Sequence, residues 1–203
     1  LTGTAHLLGA GSGQRIGSEP PFLEAAAGSR TARRRRGTDV EHWDLGNWIE
    51  ALARRRPTPA GGSLALVTLA GAAALTAKVS AIAGGPPGGF EILAADFLEA
   101  ARLDAALYPR ADARPEAVRA ALEAEVAHLE RGVEFLGTLG EVFARLPEAL
   151  VADVAAGERL SRAACRTLLA NLAVNLGRWS GRVDGLDGVA ESVRRLRGEL
   201  EAA

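Results

Sequence analysis

The residues best placed to do chemistry cluster around Pro57-Thr58-Pro59-Ala60-Gly61-Gly62-Ser63. Proline cannot sit in a helix interior, so a preceding helix must stop near Arg56. Gly61 and Gly62 open backbone conformations closed to other residues. Ser63 is a suitable N-cap for the run Leu64 to Ala83. The expected product is a tight elbow feeding a long, nearly uncharged helix. Its free N–H groups and positive dipole end would face whatever binds there. Other reactive residues are sparse. Cys165 is the single cysteine, set in a Leu/Ala-rich run with no activating base nearby, and reads as a buried apolar residue. His6, His42 and His128 lack ligand spacing, so no metal site is expected.

The elements that must position the elbow are helical. Leu45, Trp48, Ile49 and Leu52 form one stripe behind Asp44, with Arg54 to Arg56 at the closing end. Gly84 to Gly89 breaks the chain after the central helix, and a helix from Phe90 to Tyr108 is expected to end before Pro109. Pro115 suits the first turn of the next helix, whose stripe is Val118, Leu122, Val126, Leu129, Val133 and Leu136. Pro147 is expected to open a short helix, Glu158 to Trp179 a long one, and Val189, Val193, Leu196 and Leu200 mark the last. No stretch alternates like a strand. The reading is all-α: an antiparallel bundle of about six helices around a long Ala-rich central helix.

The chain has 203 residues and a net charge of −1. That suits one domain with a real core and gives no global field favouring nucleic acid or an anionic membrane. Ser63 to Ala83 is long enough to span a bilayer. Its hydrophobicity rests on alanine and is broken by Thr68, Thr76, Lys78 and Ser80, so a buried core helix is expected and no membrane partner. Residues 1–40 read as a poorly ordered extension, and 41–203 as the helical domain. Gly9-Ala10-Gly11-Ser12-Gly13 is followed by Pro20-Pro21 where a dinucleotide fingerprint needs a helix, so that function is rejected. Arg33 to Arg36 reads as a solvated basic run.

The elbow, with Gly71-Ala72-Ala73-Ala74-Leu75 after it and Trp48-Ile49-Glu50-Ala51-Leu52 before it, resembles the cyclodeaminase/cyclohydrolase family of folate enzymes. That family comprises formimidoyltetrahydrofolate cyclodeaminases and methenyltetrahydrofolate cyclohydrolases. Its usual elbow has glycine where this chain has Ala60. The resemblance runs from about Asp44 to the C-terminus. It implies that Asp104, in Ala100 to Tyr108, and Asp153, in Ala149 to Asp153, are catalytic. It further implies that Thr58, Pro59, Gly61, Gly62, Ser63, Asn171 and Asn175 bind substrate. Asn171 and Asn175 are four apart, which places both amides on one helix face.

The implied substrate is a tetrahydrofolate derivative, with no metal or redox cofactor, in a cytoplasmic homodimer. A carboxylate would accept the proton of an attacking folate nitrogen and return one to departing ammonia. In the cyclohydrolase it would orient water at a cationic methenyl carbon. Two departures point to an alternative, a catalytically impaired relative acting as a folate-binding or assembly module. Lys78 to Ala83 has alanines at two places where the family is polar, and Gly84 to Gly89 is short and lacks Lys, Arg and Tyr.

Overall fold

The computed structural model describes residues 45–54, 60–85, 89–111, 114–144 and 146–202, without the side chains of 106–111 and 143. The chain divides between Asp39 and Val40, and all described residues lie in the second unit. Among them are six α-helices and no strand: α1 Leu45–Ala53, α2 Gly61–Ile82, α3 Phe90–Ala111, α4 Pro115–Phe143, α5 Glu148–Trp179 and α6 Asp187–Ala202.

Side-chain neighbours set the helix directions. Gly62 of α2 lies against Asp104 of α3, and Gly61 lies against Asn171 of α5. Further along α2, Ala72 and Thr76 meet Gly157 of α5. Asp96 of α3 pairs with Arg131 of α4 at 2.8 Å, and Gly132 of α4 abuts Cys165 of α5. Successive helices from α2 to α5 are therefore antiparallel, and α6 packs against α4 and α5. The all-α antiparallel bundle expected from periodicity is the observed fold.

α2 forms the middle of this bundle because its side chains are small. Ala65, Ala72 and Ala73 are buried and let α3 and α5 approach closely. Gly157 extends this: a β-carbon there would lie 3.7 Å from the Ala72 carbonyl. The buried hydroxyls of Thr76 and Ser161 donate to the carbonyls of Ala72 and Gly157 at 2.9 and 2.8 Å, so neither is left unpaired. α2 is long and apolar enough to cross a membrane by length and composition, and half of that apolar window is buried inside the bundle. Its other side is a stripe of Leu64, Gly71, Ala74, Lys78 and Ile82, all exposed. The helix ends where the glycines allow: Gly84 has φ +74°, and the N–H groups of Gly85 and Gly84 donate to Ser80 and Ala81 carbonyls at 2.9 and 3.1 Å.

Several boundaries differ from those expected. α2 starts at Gly61, two residues before Ser63, with Ala60 as N-cap. Ser63 therefore lies inside the first turn and cannot cap it. α3 continues through Pro109 to Ala111. The short helix at Pro147 and the long one from Glu158 are a single 32-residue helix, with Pro147 at its N-cap. In α1 only Trp48 is buried, while Leu45 and Ile49 of the same expected stripe are exposed. Residues 1–44 and the elbow prolines lie outside the described residues.

Ala73 is fully buried where α2 meets its neighbours. Ala73→Glu places an unpaired carboxylate there and should cost more than ~3 kcal/mol. The thermal midpoint should fall by about 10 °C. Calorimetry that shows an unchanged midpoint would contradict the burial of this face.

Candidate functional site

The first turn of a helix has N–H groups with no intrahelical acceptor, and the helix dipole makes that end positive. At the start of α2 these belong to Gly61, Gly62 and Ser63, of which the bundle buries Gly62 and Ser63 and half-buries Gly61. A negatively charged acceptor is favoured there, and α3 supplies a carboxylate. The Ser63 hydroxyl donates to Asp104 Oδ2 at 2.6 Å, and the Ser63 backbone N–H also donates to this carboxylate. The side chain expected to cap α2 thus binds a carboxylate from another helix.

Glycine at positions 61 and 62 follows from this seating. A β-carbon on Gly62 would lie 3.1 and 3.2 Å from the two Asp104 oxygens. One on Gly61 would lie 3.1 Å from Asn171 Nδ2. The elbow glycines serve close approach by side chains from α3 and α5.

One turn beyond Asn171, Asn175 Nδ2 donates to Glu125 Oε1 of α4 at 3.0 Å. The other oxygen, Glu125 Oε2, is closed off from solvent and has no hydrogen-bond partner among the described residues. His128, one turn further along α4, lies within electrostatic reach of Asp104. Four helices therefore converge on one cluster of Gly61, Gly62, Ser63, Asp104, Glu125, His128, Asn171 and Asn175. All but the buried Gly62 and Ser63 are partly buried.

Proton affinities in the cluster follow from burial and like charge. Burial raises Asp104 above the ordinary carboxylate range, opposed by its bonds from Ser63 and by His128. Burial pushes Glu125 up from 4.5 to about 7; the Asp104 charge adds to this, and the Asn175 bond opposes it. Burial lowers His128, the Asp104 charge opposes this, and Arg131 adds to it. Outside the cluster, burial pushes the Cys165 thiol up to about 12, so it stays protonated at neutral pH.

Of the residues singled out in the sequence, the structure brings together Gly61, Gly62, Ser63, Asp104, Asn171 and Asn175. Asp153 does not join them. It is exposed on α5, eighteen residues before Asn171, about 27 Å away along one continuous helix. Thr58 and Pro59 lie outside the described residues, as does the Tyr108 side chain. Glu125 and His128 are the cluster members that motif reading missed. A signal was present: Glu125 follows Leu122 by three and Val118 by seven, a polar residue on the edge of an apolar stripe. Among the described residues, no group of three or more His, Cys, Asp or Glu side chains could hold a metal ion.

No family model and no curated protein matches the chain. Among solved structures, the fold is similar to that of formiminotetrahydrofolate cyclodeaminase from Thermotoga maritima, with a TM-score of 0.68 and 17% sequence identity. The match covers 81% of this chain and 93% of that one. At this identity the likeness concerns the fold.

The cluster carries a pH signature. In the unfolded chain Glu125 loses its proton near 4.5, and in the folded chain near 7. Between these values only the folded state holds that proton, so stability from this group is lost as pH rises across the window. Asp104 acts in the same sense from a lower starting point. Glu125→Gln should therefore gain on the parent by roughly 3 kcal/mol between pH 4 and pH 8. Denaturation at both pH values measures this; a constant difference would contradict it.

Proposed function

We propose that the protein is a folate-dependent one-carbon enzyme, and that it closes the ring of a formimino-substituted tetrahydrofolate with release of ammonia. The observation that carries this reading is the Asp104 carboxyl seated at the start of α2, with Asn171 and Asn175 alongside. A fold similar to that of a formiminotetrahydrofolate cyclodeaminase and the elbow Gly61-Gly62-Ser63 support the substrate class.

The chemistry suits the groups present. A second folate nitrogen attacks the formimino carbon and must lose a proton. Asp104 is an anchored acceptor, and its raised proton affinity makes it a better base than an exposed carboxylate. The Ser63 hydroxyl and N–H hold its orientation, as a base requires in order to meet the attacking nitrogen. The Asn171 and Asn175 amides offer donors and acceptors to the heterocycle. Methenyltetrahydrofolate hydrolysis would use the same carboxylate to aim water at the cationic carbon.

Homodimer formation is part of the proposal. The stripe of Leu64, Gly71, Ala74 and Ile82 gives α2 an apolar outer face of small residues suited to helix contact. A role for Asp153 requires a second copy, because it cannot reach the cluster within one chain. The second reading, a non-catalytic folate-binding or assembly module, draws on the same stripe. Lys78 is exposed there, and Ala81 offers no polar group.

Asp104→Asn keeps the shape and the acceptor for Ser63 but removes the base. Turnover of formimino-tetrahydrofolate should fall about a hundredfold or more with folding nearly unchanged. A spectroscopic assay beside methenyl-tetrahydrofolate checks this. No turnover of either substrate by the parent would favour the non-catalytic module.

A further inference from the structure

Ring closure with loss of ammonia needs two proton transfers in opposite directions. One proton leaves the attacking nitrogen, and one must reach the nitrogen that departs. A single carboxylate anchored by Ser63 would have to serve both within one turnover. The cluster contains a second carboxyl whose surroundings differ in kind. Asp104 accepts two bonds from Ser63 at the positive end of α2, and these favour its anion against the burial that raises it. Glu125 accepts one bond, on Oε1 from Asn175, while Oε2 is shut off from water with no donor among the described residues. A buried carboxylate oxygen with no donor is costly as an anion and is satisfied by carrying a proton.

We infer that Glu125 is the proton donor to the departing nitrogen, working with Asp104 as the proton acceptor. This rests on the folate reading above and assigns the second half of its acid–base chemistry to a residue outside the recognised motifs. The division follows the general pattern in which two carboxyls in unlike settings take the acid and base roles.

The step balances. The substrate enters with a cationic amidinium, Asp104 ionised and Glu125 protonated. The second folate nitrogen forms a bond to the formimino carbon, and the C=N electron pair moves onto the exocyclic nitrogen. Asp104 takes the proton from the attacking nitrogen. The Glu125 carboxyl gives its proton to the exocyclic amine, and the C–N bond to that amine breaks as a ring nitrogen's lone pair forms the new C=N bond. Ammonia leaves, the ring product keeps the single positive charge, and the pair ends as protonated Asp104 and ionised Glu125. Transfer of one proton from Asp104 to Glu125 restores both.

The surroundings of Glu125 fit this role. Asp104 on α3 acts on it directly, and its negative charge helps Glu125 keep its proton, giving a proton affinity near neutrality. His128 and Arg131 on its own helix act on each other, and His128 acts on Asp104. The adjacent faces of α2 and α5 present Ser63, Asn171 and Asn175, none of them charged. The acid must be protonated to act, so its contribution is present at low pH and is lost as pH rises through about 7.

The test compares the full-length parent, Glu125→Gln and Glu125→Asp with formimino-tetrahydrofolate, following methenyl absorbance and released ammonia from pH 5.5 to 9 on an order-of-magnitude scale of rates. Glu125→Gln should lower kcat about a hundredfold with KM changed less than about threefold, and should lose the alkaline fall in kcat near neutrality. Glu125→Asp should recover part of the rate, and circular dichroism should show both variants folded. Parent-like turnover by Glu125→Gln, or an alkaline fall that persists in it, overturns the assignment and leaves the folate reading standing. A parent that hydrolyses methenyl-tetrahydrofolate but releases no ammonia from the formimino substrate overturns the assignment together with the ring-closing reaction, and leaves folate as the substrate class. A parent inactive on both overturns the folate reading and the assignment together.

Discussion

The structure depends on one partly buried interaction, the seating of the Asp104 carboxylate on the first turn of α2. α2 is the most central helix and carries Lys78 as its single charge. Packing α3 and α5 against its small-residue faces brings its positive N-terminal end into the protein. Those donors have to be satisfied, and a carboxylate does so while adding about 1–2 kcal/mol of dipole stabilisation in partly buried geometry. The contact fixes the register of α3 against α2. It also disfavours side chains at 61 and 62, because β-carbons there would lie 3.1 Å from Asn171 and Asp104 atoms and make those side chains shift. The glycines that make the elbow distinctive in the sequence are the imprint of that seating.

The remainder of the cluster works against stability. A second carboxyl, Glu125, is held near the first with one oxygen unpaired, and a histidine is partly buried beside them. A bundle selected only for stability would place apolar residues at these positions. Groups whose proton affinities are displaced by burial and by one another are characteristic of functional sites, and here they lie beside amides able to bind a heterocycle. The bundle's rigidity makes this arrangement usable. All four contributing helices are at least 22 residues long and tied together by a common apolar core, so the carboxyls are held before any ligand arrives.

Much of the bundle was legible in the sequence because helical stripes map directly onto burial. Val118, Leu122, Val126 and Leu129 in α4, and Val189, Val193, Leu196 and Leu200 in α6, are buried as their spacing required. Boundaries were harder where a residue had a tertiary purpose. Ser63 has the right type for an N-cap, but its hydroxyl is committed to Asp104, a partner 41 residues away that local reading does not see. The short helix expected at Pro147 and the long one from Glu158 are one continuous α5, so Asp153 stands far from Asn171. Asp104, Asn171 and Asn175 were found through motif resemblance. Glu125 was passed over because a glutamate in a charged helix ordinarily faces water, and only the neighbouring helices bury it.

In the function proposed above, a tetrahydrofolate derivative binds where α2 begins, against Asp104 and Glu125. Titration of isotopically labelled protein with tetrahydrofolate, followed by NMR of backbone and side-chain amides, tests it most directly. The predicted result is a saturable set of shifts centred on Gly61, Gly62, Ser63 and the Asn171 and Asn175 side-chain amides, weakened by Asp104→Asn. Saturable shifts confined to other faces of the bundle, or none at millimolar ligand, would contradict it.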